Sequence, residues 1–126
     1  MIPVKPISGG NSAQPMKLPP NTVIAREKVT DYLLVRQSRS DKSAFLESGG
    51  YTLLNPDALI SALDSLRERG DATQVDENLF GRYYEIVGVL AGPLGVGLRV
   101  RTIWMTEHLS GITKFVTLIP IEIVHP

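Results

Sequence analysis

The pattern of apolar and polar residues divides the chain into a helical half and a strand-forming half. Over residues 55–70, leucine and isoleucine recur at the spacing that places them on one face of a helix. Asn55 before a proline is typical of a helix start, and Gly70 is typical of a helix end. The sequence therefore predicts an amphipathic helix over 55–70, preceded by a helical turn over 29–34 and a short helix with Ser40 as its N-cap.

Three segments after Gly81 have the composition of β-strands. "RYYEIVGVLAG", "VGLRVRTIWMT" and "ITKFVTLIPIEIV" are rich in β-branched and aromatic residues. The stretch "GPLG" joins the first of them to the second, whereas a phosphate-binding loop runs from a strand into a helix. We therefore interpret "GPLG" as a hairpin turn. The acidic stretch over 71–80 lacks the glycine of a calcium loop and is predicted to be a solvent-exposed connection.

These elements predict an α+β fold, with two or three N-terminal helices packed on a C-terminal antiparallel sheet of three to four strands. If residues 92–95 form the first turn and a four-residue turn follows the second strand, the register can be counted. Glu85 then lies opposite Thr102, and Thr102 lies beside Thr117. The next row on the same face consists of Tyr83, Trp104 and Phe115.

The first part of the chain differs in composition from the rest. Five of the nine prolines lie within residues 1–20, mixed with glycine, asparagine and serine, which disfavours a helix or an interior strand there. We interpret residues 1–21 as an extended arm and residues 22–126 as a single α+β domain, because the chain suffices for one modest core. The arm is either a flexible tail or a segment that packs on its own domain or on a second subunit.

Charge and cysteine content narrow the classes of function. The 13 basic residues balance the 13 acidic ones, so binding to nucleic acid needs a local patch rather than an overall field. The chain has no cysteine and two histidines, and their spacing builds no metal site, so we expect neither a metal nor a cofactor. No apolar run is long enough to span a bilayer. We therefore expect a cytoplasmic protein with no membrane partner.

Two groups of basic residues are candidates for anion binding. Arg36, Arg39 and Lys42 lie within seven residues of one another, around the start of a predicted short helix. Arg99 and Arg101 project from the same face of the predicted central strand. Each group can bind a phosphodiester, or it can be ordinary charged surface that pairs with acidic side chains.

The polar row across the three strands is a candidate for catalysis. Glu85 would act as a general base there, and Thr102 and Thr117 would hold a phosphate or a ribose oxygen. In the structural alternative, the threonines stabilise the sheet as cross-strand pairs and the aromatic row belongs to the core. The candidate catalytic residues are Glu85, Thr102, Thr117 and Lys42, and the candidate substrate-binding residues are Arg99, Arg101, Tyr83 and Trp104.

Several motifs resemble an uncharacterised bacterial family, a domain of unknown function. They are "KVTDYLL", "DKSAFLESGGYT", "NPDAL", "GRYYEIVGVLAGPLG", "VRTIW" and "KFVTLIP", over residues 22–120. Helices followed by an antiparallel sheet also resemble the barnase, EndoU, colicin and RelE group of metal-independent ribonucleases. That resemblance implies a toxin-like RNase, although the neutral charge and the lack of a histidine in the sheet depart from it. The positions that match the pattern are Lys42, Tyr51, Gly81, Tyr83, Gly92, Gly95, Thr102, Trp104 and Thr117.

Two functions remain open at this point. In the first, the domain binds RNA through Lys42, Arg99 or Arg101 and cleaves it by making a 2′-hydroxyl attack the adjacent phosphorus. An antitoxin or immunity protein would then be its partner. In the second, the domain is a non-catalytic protein–protein interaction module, for example a homodimer joined through a strand edge or the N-terminal arm.

Overall fold

The computed structural model describes residues 16–125 and has an α+β fold, as predicted. The elements are α1 (Arg26–Lys28), a π-helical turn (Val29–Leu33), α2 (Ser43–Ser48), α3 (Pro56–Arg69), β1 (Thr73–Glu77), β2 (Gly81–Ala91), β3 (Gly97–Glu107) and β4 (Thr113–Val124). The predicted helix over 55–70 is confirmed as α3. The predicted N-cap of α2 is wrong, since Ser40 has a φ of 52° and the helix begins three residues later.

The four strands form one antiparallel sheet in the order β1-β2-β3-β4. The segment over 71–80 is mostly exposed, as predicted, but the prediction of a loop is wrong because this segment contains β1. β1 is an edge strand with one neighbour, and its last four residues are exposed. Because an exposed edge strand buries neither face, its residues can be as polar as those of a loop, and its sequence cannot be told from that of a loop.

The helices cover one face of the sheet, and the core lies between them. Leu59, Leu63 and Leu66 of α3 are at most 1 % exposed. α3 packs on β2 where Gly88 leaves room for it: a Cβ at Gly88 would lie 2.5 Å from the Cδ1 atom of Leu66. The backbone of β2 therefore approaches α3 closely, which brings the leucine face of the helix onto the sheet.

The register of the sheet differs from the predicted one at the first hairpin, and in the second hairpin it differs only beyond a bulge. The Gly92 N–H donates to the Val96 carbonyl at 3.0 Å, so the first turn has three residues, with Gly95 left-handed, rather than four. Ala91 consequently pairs with Gly97. In the second hairpin, the predicted Trp104–Phe115 pair is confirmed. A bulge then shifts the register, so that Thr117 pairs with Ile103.

The first hairpin turn is docked on the end of α2. The Leu94 N–H donates to the Gly49 carbonyl at 3.1 Å, and a Cβ at Gly92 would lie 2.2 Å from the same carbonyl oxygen. Gly92 is thus required by the close approach of two backbones. Gly95 is required by its φ of 83°, with open space around it.

We expect Gly92→Ala and Gly95→Ala to destabilise the domain to different extents. In Gly95→Ala, the added Cβ meets no other atom, and the only cost is that of an alanine with positive φ, about 1 kcal/mol. Gly92→Ala must also separate the turn from α2, and we expect a loss of roughly 3 kcal/mol, at the upper end of single substitutions. Urea unfolding of both variants measures the difference. Equal losses would contradict the docking of the turn on α2.

Residues 16–24 pack along both edges of the sheet. Met16 and Ala72 exchange two backbone hydrogen bonds, of 2.9 and 2.7 Å, and Leu18 is 3 % exposed. Val23 bonds to the outer edge of β4, through hydrogen bonds with Thr113 and Phe115. The last residues of the predicted arm therefore contact the domain, and the arm's first 15 residues lie outside the described residues.

Candidate functional site

The predicted row of Glu85, Thr102 and Thr117 is not formed. Thr102 faces the helices and is 0 % exposed, whereas its neighbour Ile103 stands between Glu85 and Thr117 in the row. There are two physical reasons. The three-residue turn shifts the pairing by one residue, which puts Thr102 and Glu85 on opposite faces, and the bulge in β4 moves Thr117 away from Thr102. Glu85 and Thr117 remain on a common row, separated by one strand.

Thr102 and Trp104 form a buried hydrogen-bond network instead. The Trp104 Nε1–H donates to the Thr102 hydroxyl at 2.8 Å, and that hydroxyl donates to the Ile86 carbonyl at 2.8 Å. Trp104 is 0 % exposed and meets the Phe115 ring edge-on at 5.2 Å. Neither side chain is accessible from solvent to a substrate.

We expect Thr102→Val to destabilise the fold by about 2 kcal/mol. The substitution keeps the shape of the side chain but leaves the buried indole N–H without an acceptor, which costs about 1–3 kcal/mol. Thermal unfolding monitored by tryptophan fluorescence measures the change. A Thr102→Ser variant keeps the hydroxyl and should lose less. An unchanged melting temperature in Thr102→Val would contradict the role of this network.

The two arginines of β3 are paired with carboxylates of neighbouring strands. Arg101 forms an ion pair with Glu85, and Arg99 forms one with Glu122 at 3.2 Å. Both pairs lie on the sheet face opposite the helices. Since each charge is already compensated by its neighbour, this face presents little net positive charge to a phosphate.

Lys42 and Thr117, by contrast, come together at the outer edge of β4. The Lys42 ammonium donates to the Thr117 hydroxyl at 2.9 Å, across 75 positions of sequence. The ammonium also lies 5.4 Å from the centroid of the Tyr32 ring. These three side chains line an open cleft of 640 Å³ between the first helical segment and β4. We call this cleft the first chamber, and its polar lining consists of Glu27, Lys28, Tyr32, Ser40, Lys42 and Thr117.

The turn before α2 fixes the position of Lys42. Asp41 accepts hydrogen bonds from the Gln37 N–H at 2.9 Å and the Ser43 hydroxyl at 2.8 Å. These bonds hold the pKa of Asp41 below its ordinary value. The stabilisation from ionised Asp41 is present above the ordinary pKa and is lost as the pH falls through the lower, folded-state pKa. Ser40, with its positive φ, completes this turn at the mouth of the first chamber.

A second chamber of 310 Å³ adjoins the first along β4. The two share Ala25, Lys28 and Val116, and we call them together the edge groove. Tyr83, Met105 and Lys114 are cross-strand neighbours that form one wall of the second chamber. Lys114 is bound to Glu107 at 2.8 Å, which lowers the pKa of that carboxyl together with the Ser110 hydroxyl.

Sequence reasoning found part of this groove and missed the rest. Lys42, Thr117 and Tyr83 were candidates, but nothing in the sequence joined them. The missed residues include Glu27 and Lys28 of α1, Tyr32 of the π-helical turn and Lys114 of β4. A helix of three residues and a single π-helical turn produce no readable periodicity, although "REKVTDY" does combine charged and aromatic residues that a cleft uses.

The described part of the chain contains no group of three side chains that could hold a metal ion. Between residues 16 and 125, no helix has both the length and the apolar composition needed to cross a membrane. The polar groups that line the edge groove are ammonium groups, a carboxylate, hydroxyls and phenols.

The chain was compared with known families, curated proteins and solved structures. One family model, described as "Domain of unknown function (DUF6883)", matches residues 17–122. No curated protein and no solved structure matches the chain. The matched segment contains all helices and strands up to the last residues of β4. The chain is thus a member of the DUF6883 family.

Proposed function

We propose that this domain binds single-stranded RNA in the edge groove and cleaves it without a metal ion. The observation that carries the proposal is the first chamber, where Lys42, held at 2.9 Å from the Thr117 hydroxyl, shares one open cleft with Lys28 and the Glu27 carboxylate. Two cations and a hydroxyl suit a phosphodiester, and a carboxylate beside them suits a general base.

The shape and lining of the groove favour an extended anion over a compact one. Lys28 and Lys42, which form no ion pair with residues 16–125, line the groove together with Lys114, which is paired with Glu107, and each chamber contains a tyrosine. A basic groove with aromatic side chains is the usual surface for single-stranded nucleic acid, because the cations follow the backbone and the rings stack on bases. The neutral net charge of the chain is compatible with this, since the cations are local.

The cleavage step uses Glu27 rather than Glu85 as the base. Glu85 is paired with Arg101 and does not line the groove, whereas Glu27 does. The Glu27 carboxylate takes the proton of a ribose 2′-hydroxyl, and the 2′-oxygen forms a bond to the adjacent phosphorus. The bond between phosphorus and the 5′-oxygen breaks, and that oxygen takes a proton from water. Lys42 and Thr117 stabilise the charge that develops on the phosphoryl oxygens.

Incubation of the purified protein with matched RNA, DNA and 2′-O-methyl RNA, each with and without excess EDTA, tests the proposal. We expect cleavage of the RNA alone, with 2′,3′-cyclic phosphate and 5′-hydroxyl ends, because only RNA has the attacking hydroxyl. Absence of cleavage, or its abolition by EDTA, would contradict the proposed reaction. Expression in a bacterial host should arrest growth, and an antitoxin or immunity protein is then the expected partner.

A second candidate function rests on the sheet face opposite the helices. Val87 and Ile119 flank Arg101 on this face and are 49 % and 38 % exposed. Two copies of the chain would pack through this face, with each arginine of one copy pairing with a glutamate of the other instead of its own. Analytical ultracentrifugation of wild type and Val87→Asp distinguishes this homodimer, which the substitution should dissociate, from a monomer.

A further inference from the structure

We infer that the second chamber of the edge groove binds the base of a nucleotide next to the one whose phosphate contacts Lys42. This inference rests on the proposed RNA-binding function and deepens it, because it specifies where the substrate is held beyond its phosphate. A base can enter this chamber only if it is unpaired, so the expected ligand is a single strand.

The lining of the second chamber has the chemistry of a base-binding site. Val23, Met105 and Val116 supply apolar surface, while Tyr83 supplies a ring with its hydroxyl fixed by the Asn78 amide at 3.3 Å. A ring held at its far end is preorganised for stacking. Met105 is 8 % exposed, so this wall of the chamber is packed against the rest of the domain.

The connection between the two chambers matches the connectivity of a nucleic-acid strand. Lys28 lines both chambers, and no hydrogen bond or ion pair ties its ammonium to residues 16–125. In a single strand, a phosphate lies between each pair of adjacent bases. A cation at the junction, with an apolar and aromatic chamber beyond it, therefore fits a phosphate followed by a base. An apolar peptide segment would not use this cation.

The experiment measures the coupling between one base and one side chain. The probes are 2′-O-methyl RNA tetramers, which have no attacking hydroxyl, with an abasic nucleotide placed at each position in turn. All tetramers carry the same backbone charge. In the wild-type protein, removal of the base at one position should weaken binding about tenfold, the lower range of stacking on an aromatic ring. In Tyr83→Leu, the intact tetramer should bind about tenfold more weakly, and removal of that base should have no further effect.

Two control variants separate stacking from other causes. Tyr83→Phe keeps the ring and should retain the tenfold effect of the missing base. Arg82 lies on the opposite face of β2 from Tyr83, with its Nε atom 3.7 Å from the Glu77 Oε2 atom. Arg82→Ala therefore removes a cation outside the groove, and this variant should bind all probes as the wild type does. If no tetramer binds the wild-type protein, the proposed function itself is wrong. If tetramers bind but no position is coupled to Tyr83, the second chamber is not a base site, and RNA binding stands without it.

Discussion

Replacing Lys42 by alanine is expected to weaken the binding of single-stranded RNA by roughly 10- to 100-fold. A hydrogen bond from a charged group contributes about 1.5–3 kcal/mol, and 1.4 kcal/mol corresponds to a factor of ten in affinity. Lys42 is held by Thr117 and lies over the Tyr32 ring, so its ammonium is already in position when the phosphate arrives. Fluorescence anisotropy with a labelled RNA at constant salt measures the affinity.

The salt dependence provides an independent measure of the same contact. Loss of one phosphate contact should lower the slope of log affinity against log salt concentration by about one unit. Arg82→Ala is the charge-matched control and should leave both the affinity and the slope unchanged. Arg99→Ala should behave like this control, because Arg99 is paired with Glu122 outside the groove. If Lys42→Ala and Arg82→Ala bind RNA equally well, Lys42 does not contact the phosphate.

Glu27→Gln is expected to reduce RNA cleavage by roughly 10²- to 10⁴-fold, the usual contribution of a general base. Binding should change little, because the substitution keeps the size of the side chain and removes a negative charge near the phosphate. Single-turnover cleavage, together with anisotropy on the same variant, separates the two effects. This separation distinguishes a base from a residue that merely holds the α1 segment in place.

Two further variants make the assignment of the base specific. Glu68→Gln changes an exposed carboxylate of α3 and should cleave as the wild type does. Glu85→Gln replaces the base predicted from the sequence, and cleavage should persist because Glu85 is occupied by Arg101. Full activity in Glu27→Gln, with activity lost in Glu85→Gln, would reverse the assignment.

Among the helices, α3 could be predicted from local signals. α3 has a regular leucine pattern with a proline at its start and a glycine at its end, and these signals act within a few residues. β1 has no such signal. Its side chains are mostly exposed at the sheet edge, so burial imposed no alternation on its sequence, and it was interpreted as a loop.

The sheet register could not be predicted because it depends on single-residue differences in turn length. The sequence indicates a turn at "GPLG" but does not decide between three and four loop residues. The three-residue turn moved Thr102 out of the row of Glu85, onto the face that packs against the helices. The bulge at Val116 then moved Thr117 away from its predicted neighbour and brought it opposite Ile103.

The candidate site depends on long-range contacts that no local pattern encodes. Lys42 and Thr117 were each identified as candidates, but their contact arises from the packing of the segment before α2 against the edge of β4. Glu27 and Lys28 enter the groove because Val23 bonds to that edge and positions the start of α1. Such contacts require the tertiary structure.

The most direct test of the edge groove as the RNA site is a two-dimensional ¹H–¹⁵N NMR titration of the protein with an uncleavable 2′-O-methyl tetramer. If RNA binds in the edge groove, chemical-shift changes are concentrated at the amides of Lys28, Lys42, Thr117 and Tyr83, and the amides of Val87 and Arg99 are unchanged. Changes concentrated on the open sheet face around Val87 and Arg99, or no changes at millimolar tetramer, would contradict binding in the edge groove.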